Sequence, residues 1–297
     1  MDTNNTRTDL RQSTLKANVE GMVSEIALEK GKSKNDPSVD NISGTITVKT
    51  DETNYIRFMV NVNAKTKNGE DNKTYPGIET IMNEYKSIAQ YGADEADKVR
   101  VRGDINLFRG QDGRDQVGYK SNFFSRLRDG QEFEPKAEFE VETYISSIVP
   151  EMDKDGDETG RVLVKGWSVT YQGVEPITMV APKEISSDVE NTFEVGQTAL
   201  FFGDIINSRV EKITEIPVAI GKPKQRVETT YKNELIITGA SQPYEEGITS
   251  ELPYPADSIK LAIQERENRI AEAANRSEKP PFDNKPSGAA KGRTLNW

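Results

Sequence analysis

Three short patterns occur twice in this chain, in the same order. Val19-Glu20-Gly21-Met22-Val23-Ser24-Glu25-Ile26 returns in outline as Val141-Glu142-Thr143-Tyr144-Ile145-Ser146-Ser147-Ile148. Gly44-Thr45-Ile46-Thr47-Val48-Lys49 returns as Gly160-Arg161-Val162-Leu163-Val164-Lys165, and Arg102-Gly103-Asp104-Ile105-Asn106 returns within Phe202-Gly203-Asp204-Ile205-Ile206-Asn207. A single recurrence would be chance, but three in order mark a duplicated β-rich module. A module repeated in this way points to binding more than to catalysis.

Composition narrows the chemistry further. The 297 residues suffice for two domains of ordinary size with tails. A hydrophobic share of 34% against a charged share of 30% fits two small β domains with polar loops better than one large core. The chain has no Cys, which excludes disulfides, thiolate catalysis and Cys-ligated zinc. It has no His, which removes the commonest general base and the commonest metal ligand. No run of 18 apolar residues is present, so no membrane span is expected. The polar stretch Met1 to Leu10 has no signal-peptide character, and the expected compartment is the cytoplasm.

The net charge of −10 argues on its own against nucleic acid. Its distribution argues the other way. Residues 98–128 hold eight Lys/Arg and three Asp, a local net charge of +5. A basic island in an acidic chain is a specific signal, because a phosphate backbone meets the local field.

Along the chain, residues 1–14 read as a disordered arm and strand signals begin at 17–27. Ile42, Gly44, Ile46 and Val48 alternate with polar neighbours, Asp51 to Asn54 reads as a turn, and Ile56, Phe58, Val60 and Val62 alternate with Tyr55, Arg57, Met59 and Asn61. Ile78, Ile81, Met82, Tyr85, Ile88 and Ala89 then take helical spacing, with Gly92 as a stop. Strand period resumes at Lys98, where Val99, Val101, Ile105 and Leu107 oppose Arg100, Arg102, Asn106 and Phe108. Gly103 in mid-strand predicts a bulge. A Gly/Asp/Arg loop at 109–116 leads to a last strand near 117–124.

The order β-β-β-α-β-β is that of the five-stranded OB barrel. With the Gly-centred run Val99-Arg100-Val101-Arg102-Gly103 on its fourth strand, the first half resembles the single-stranded DNA-binding proteins of bacterial, phage and replication protein A type. The resemblance covers residues 15–125. The second half repeats the order in shorter form, with strands at 137–149, 161–171, 174–181, 197–207 and 234–240 and a short helix near 184–192. The connection from Ser208 to Lys232 carries a net charge of +3. The expected organisation is a disordered arm (1–14), an OB-like domain (15–130), a second OB-like domain (135–242), a linker and charged helix (243–276), and a disordered tail (277–297). The expected fold is mainly β: two tandem five-stranded OB-like barrels with a C-terminal helix and the tail.

An OB barrel binds oligonucleotides on its outer face, where cations track phosphates and aromatic rings stack bases. In the first half, Lys49, Tyr55 and Arg57 lie on the strand two–three hairpin. Arg100, Arg102, Phe108, Arg109, Arg114, Tyr119, Lys120, Phe123, Phe124 and Arg126 supply cations and rings from the basic island. In the second half, Lys165, Trp167 and Tyr171 share one strand parity and form an expected basic-aromatic stripe; the opposite parity would put Trp167 in the core.

Asp153, Asp155 and Asp157 superficially resemble a calcium loop. The glycine, Gly156, falls early and Val164 stands where the bidentate Glu belongs, so a tight acidic turn is expected. No metal site, cofactor or catalytic constellation is legible, and the chain reads as a binding protein without enzymatic activity. The resemblance implies single-stranded DNA as the partner, bound largely independently of sequence in support of replication or recombination. It also implies a phage-encoded version, and replication or recombination proteins as partners of the C-terminal helix and tail. The tail ends in an aromatic residue, Trp297, as tails of that family end in Phe, but it is basic where theirs are acidic. A virion structural or assembly protein built from two β domains is the alternative.

Overall fold

The computed structural model describes residues 10–128, 130–216, 224–249 and 251–277. The first set of elements is β1 (Leu15–Lys32), β2 (Asp40–Lys49), β3 (Tyr55–Asn63), α1 (Thr74–Glu84), α2 (Ile88–Tyr91), β4 (Lys98–Arg109) and β5 (Asp115–Arg126). The second is β6 (Lys136–Met152), β7 (Glu158–Thr170), β8 (Gly173–Ala181), α3 (Ser186–Thr192), β9 (Thr198–Ile216) and β10 (Lys224–Ala240), followed by α4 (Ala256–Ser277). Alternation builds the walls. In β3, Ile56, Phe58, Val60 and Val62 are buried while Arg57, Met59 and Asn61 are exposed.

The strands form one ten-stranded sheet in the order β2-β3-β5-β4-β1-β6-β7-β8-β10-β9. Additional β1–β2 and β6–β9 pairings close it twice. Each closure is a five-stranded OB-like barrel, β1-β2-β3-β5-β4 and β6-β7-β8-β10-β9. The first core centres on Phe58, which meets Tyr119 edge-on at 6.1 Å and Phe124 at 5.8 Å. Such pairs are worth roughly 0.5–1.5 kcal/mol each beyond burial.

The duplication holds at the level of hydrogen-bond register. Lys16 lies opposite Asp104 in β1–β4, and Glu138 opposite Asp204 in β6–β9. The bulge between Val23 and Glu25 recurs between Ile145 and Ser147. The bulge in β5 opposite Gly103 recurs in β10 opposite Gly203. The parallel pair Met59–Lys120 recurs as Val180–Ile236. One sequence match slips: Met22 pairs with Lys49 and its counterpart Tyr144 with Trp167, so Lys49 corresponds to Trp167 and not to Lys165. A slip of two residues preserves the face, so Lys165 and Trp167 keep the strand parity of Thr47 and Lys49.

The two barrels meet through antiparallel β1–β6, where Ala17 lies opposite Phe139. These two residues occupy the same place in their repeats, each also opposite its bulge glycine, Gly103 or Gly203. The repeats are therefore related by a two-fold axis through this pair, as in an isologous dimer interface fused into one chain. Flanking it are two equivalent buried carboxylates. Glu20 pairs with Arg100 and accepts the Glu134 N–H at 2.9 Å. Glu142 accepts from Arg11 at 2.9 Å and from the Thr14 N–H at 3.1 Å. Each is capped by the segment leading into the other barrel.

Three expectations change. Residues 10–14, read as part of a disordered arm, are held by Arg11 and by the Ser13 N–H bond to the Val169 carbonyl; residues 1–9 and 278–297 lie outside the described residues. The helical run near 78–89 is two helices, because Lys86 turns away to exchange hydrogen bonds with Asp97. Gly92, at φ 84°, ends the second. Of the connection from Ser208 to Lys232, residues 208–216 and 224–232 continue β9 and β10, with Lys224 paired to Ile216, and residues 217–223 lie outside the described residues.

Candidate nucleic-acid interface

The outer face of β3, β5 and β4 in the first barrel gathers one group of the expected residues. Met59 lies beside Lys120, Lys120 opposite Asp104, and Arg102 opposite Phe123. Gly118 sits opposite Asn106, and a methyl group there would lie 3.1 Å from the Phe108 ring and 3.6 Å from Met59. The missing side chain thus lets Phe108 and Met59 converge over bare backbone. Phe123 is 65% exposed and Met59 40%. Arg57, Arg102 and Lys120 make no side-chain hydrogen bond or ion pair among the described residues. At the end of the wall, Lys49 stands 5.6 Å from the centre of the Tyr55 ring. The wall therefore offers unpaired cations beside accessible rings, the two components of a single-strand platform.

Other expected residues have different positions. Tyr119, 2% exposed, and Phe124 are core residues against Phe58, so neither ring can stack a base. The sequence alternation had already placed Phe58 inward, but the bulge in β5 changes which neighbours face out. Burial raises the Tyr119 phenol well above its usual range. Arg100 is committed to Glu20 and to the Glu132 carbonyl at 3.1 Å. Burial pushes the Glu20 carboxyl up, but Arg100 and the Glu134 N–H outweigh it and hold it below the usual range. Arg126 packs 4.1 Å from the Tyr85 ring centre and pairs with Asp97 at 3.2 Å. Arg109 lies 3.6 Å from Asp115, and Arg114 is exposed at the β4–β5 turn.

In the second barrel the stripe points outward but is partly covered. Lys165 is exposed, whereas α4 packs Ile259 and Ala262 against Val169, Val174 and Tyr254, with Trp167 and Ile263 at the margin. Arg266, nearly buried, lies 5.8 Å from the Trp167 ring centre. It donates to Glu175 at 2.8 Å and to Asp115 of the first barrel. Tyr171, 67% exposed, stands on the β7–β8 turn, away from Lys165 and Trp167. The residues the sequence reading missed are Met59 and Gly118. The outward parity of Met59 was legible, but the bare backbone under Phe108 emerges only from the strand register.

A family model described as YorF matches residues 15–276. No curated protein matches the chain. Among solved structures, the wild-type single-stranded DNA binding protein from Thermus aquaticus aligns with TM-score 0.48 and 8% identity, over 81% of this chain and 98% of that one. A deletion mutant of the single-stranded DNA binding protein from Thermus aquaticus aligns with TM-score 0.46 and 10% identity, over 82% and 100%. A replication protein A heterotrimer bound to single-stranded DNA aligns with TM-score 0.21 and 10% identity, over 90% and 70%. The family match spans both barrels and most of α4, and the chain belongs to the YorF family.

Proposed function

We propose that this protein binds single-stranded DNA through the outer wall of its first barrel, largely without regard to sequence, in support of replication or recombination in the cytoplasm. One observation carries the reading: Arg57, Arg102 and Lys120 lack ion-pair partners among the described residues and share a sheet face with Met59, Phe108 and Phe123. An isolated cation on a β surface is ordinary, but three beside exposed apolar side chains suit a ligand with both charge and flat faces. Phosphates would meet the cations and bases the rings. Neither contact reads a base edge, which is why sequence preference would be weak.

The test is fluorescence anisotropy of labelled oligo(dT) and of duplex DNA, between about 50 and 200 mM salt. The reading expects saturable binding of the single strand, weaker binding of the duplex, and affinity that falls with salt. Three phosphate contacts give a log–log salt slope of about −2. A flat titration at micromolar protein would overturn the proposal and leave the assembly-protein reading.

A further inference from the structure

The two-fold that relates the barrels creates two equivalent junctions between them, one at the β2–β3 end of the first barrel and one at the β7–β8 end of the second. They are closed by different means. Asn54 precedes Tyr55 and Glu175 precedes Pro176, and the two match because the pair Lys49–Tyr55 corresponds to Trp167–Pro176. At the first junction Asn54 bonds β9 of the other barrel directly: it donates to the Ile205 carbonyl at 2.9 Å and accepts from the Asn207 N–H at 2.7 Å. At the second, Glu175 accepts from Arg266 of α4 at 2.8 Å, and Arg266 also donates to Asp115, at the foot of the β4–β5 hairpin of the first barrel. A side chain from the C-terminal helix thus stands where the matched junction has a direct contact.

We propose that Arg266 is a positioning residue for the nucleic-acid wall: by engaging Asp115 it holds the β4–β5 hairpin against the second barrel and keeps Arg109 available for a phosphate of the bound strand. The proposal rests on the single-strand reading above and gives α4 a part in it without contact with the strand.

The geometry around Asp115 carries the inference. Asp115 lies directly opposite Arg109 in the β4–β5 ladder, the place of an ordinary cross-strand ion pair. Both guanidinium groups approach the same oxygen, Oδ1. Arg266 takes it in a hydrogen bond, whereas Arg109 stays at 3.6 Å, outside hydrogen-bond range. The Arg109 side chain is left 41% exposed, next in the chain to Phe108 of the wall. Without Arg266, Arg109 is the cation nearest to Asp115, and their pairing would remove a charge from the strand's path. The bridge itself is well held: Arg266 is nearly buried, Glu175 is largely so, and Arg269 lies 3.8 Å from Glu175 and donates to the Gln172 carbonyl. A buried ionic bridge adds little net stability over a well-packed apolar contact, but its geometry fixes which elements meet.

The experiment titrates the full chain and its variants against labelled oligo(dT) by anisotropy, between about 50 and 200 mM salt, each below its measured melting temperature. In Arg266→Ala, Asp115 closes on Arg109, so affinity should fall severalfold and the salt slope should shrink in magnitude by about 0.7, the share of one phosphate. Arg266→Lys keeps a charge beside Glu175, but its compact ammonium does not span two carboxylates, so it should show the same loss with a smaller drop in melting temperature. Adding Asp115→Asn to Arg266→Ala should restore affinity and slope, because Arg109 then has no carboxylate to close on. Adding Arg109→Ala to Arg266→Ala should cost nothing further. A merely structural Arg266 would not be rescued by neutralising its own partner. If Lys120→Ala weakens binding but the Arg266 variants keep the wild-type affinity and slope, or if Asp115→Asn fails to restore the loss, the positioning role is wrong and the wall reading stands. If the wild type does not bind, both fall.

Discussion

The two barrels share a ladder but not a surface. Their strand pairings and bulges coincide position by position, yet the outer wall differs at almost every matched site. Arg57, Met59, Gly118 and Lys120 of the first barrel correspond to Thr178, Val180, Glu234 and Ile236 of the second. Phe108 corresponds to Ser208, and Arg102 opposite Phe123 to Phe202 opposite Gly239. The first wall is basic and open. At these matched positions the second carries no cation, and the neighbouring β7–β8 face is partly covered by α4. Register is set by backbone hydrogen bonds and by the inward residues, so it survives substitution of outward ones. A duplicated barrel can therefore keep one copy for binding and turn the other into a scaffold.

The comparison can be broken first at the shared bulge. A Cβ at Gly203 would lie 2.0 Å from the Ile236 carbonyl oxygen, and one at Gly103 would lie 2.7 Å from the Phe58 ring. Gly203→Ala is expected to cost more than about 3 kcal/mol in urea unfolding, and Gly103→Ala somewhat less, because its nearest backbone contact, the Lys120 carbonyl oxygen at 2.9 Å, is looser. A tolerated Gly203→Ala would show that the bulge geometry is not required.

Arg266→Ala comes next. It leaves Glu175, itself largely buried, without its main partner and removes the tie to Asp115. The expected loss is about 3 kcal/mol by thermal unfolding, with a red shift in Trp167 emission as the ring loses its cover. If stability and emission both stay unchanged, α4 does not hold the second barrel as described.

Lys120→Ala sharpens the functional contrast. It should weaken oligo(dT) binding severalfold and reduce the magnitude of the salt slope by about 0.7, the share of one phosphate. Ile236→Ala, at the matching position, should leave both affinity and slope unchanged. Equal effects would mean that the walls are not specialised.

The smallest expected effect is on acid stability. The Glu20 carboxyl is held below its ordinary pKa, so its pairing with Arg100 stabilises the fold fully above the unfolded value near 4.5 and is lost as pH falls through the lower folded value. Glu20→Gln should flatten the stability–pH curve in that acid range and leave its slope at neutral pH unchanged.

Much of the fold was legible because period-two alternation is strict in β3 and β4, and because Gly103 and Gly203 mark the bulges. The buried equivalence of Glu20 and Glu142 was visible as a repeated Val-Glu, but its meaning was not. Their partners Arg100 and Arg11 lie 80 and 131 residues away in sequence; the β1–β4 ladder sets Arg100 opposite Glu20, and the segment that leads into β1 brings Arg11 to Glu142. The candidate site was half legible. Charge and parity single out Arg57, Arg102, Phe108 and Lys120, which the register places on one sheet face. Tyr119 and Phe124 were misplaced because composition cannot tell a stacking ring from a core ring. The cover that α4 places beside Trp167 was invisible because helical periodicity defines an apolar stripe, not what it packs against.

The most direct test of the specialised-barrel account compares charge reversal at two matched, exposed positions, Arg57→Glu and Thr178→Glu, by anisotropy of labelled oligo(dT) at low salt. The account predicts a loss of more than about tenfold for Arg57→Glu and wild-type affinity for Thr178→Glu. Equal losses at the two positions, or no loss at Arg57, would contradict it.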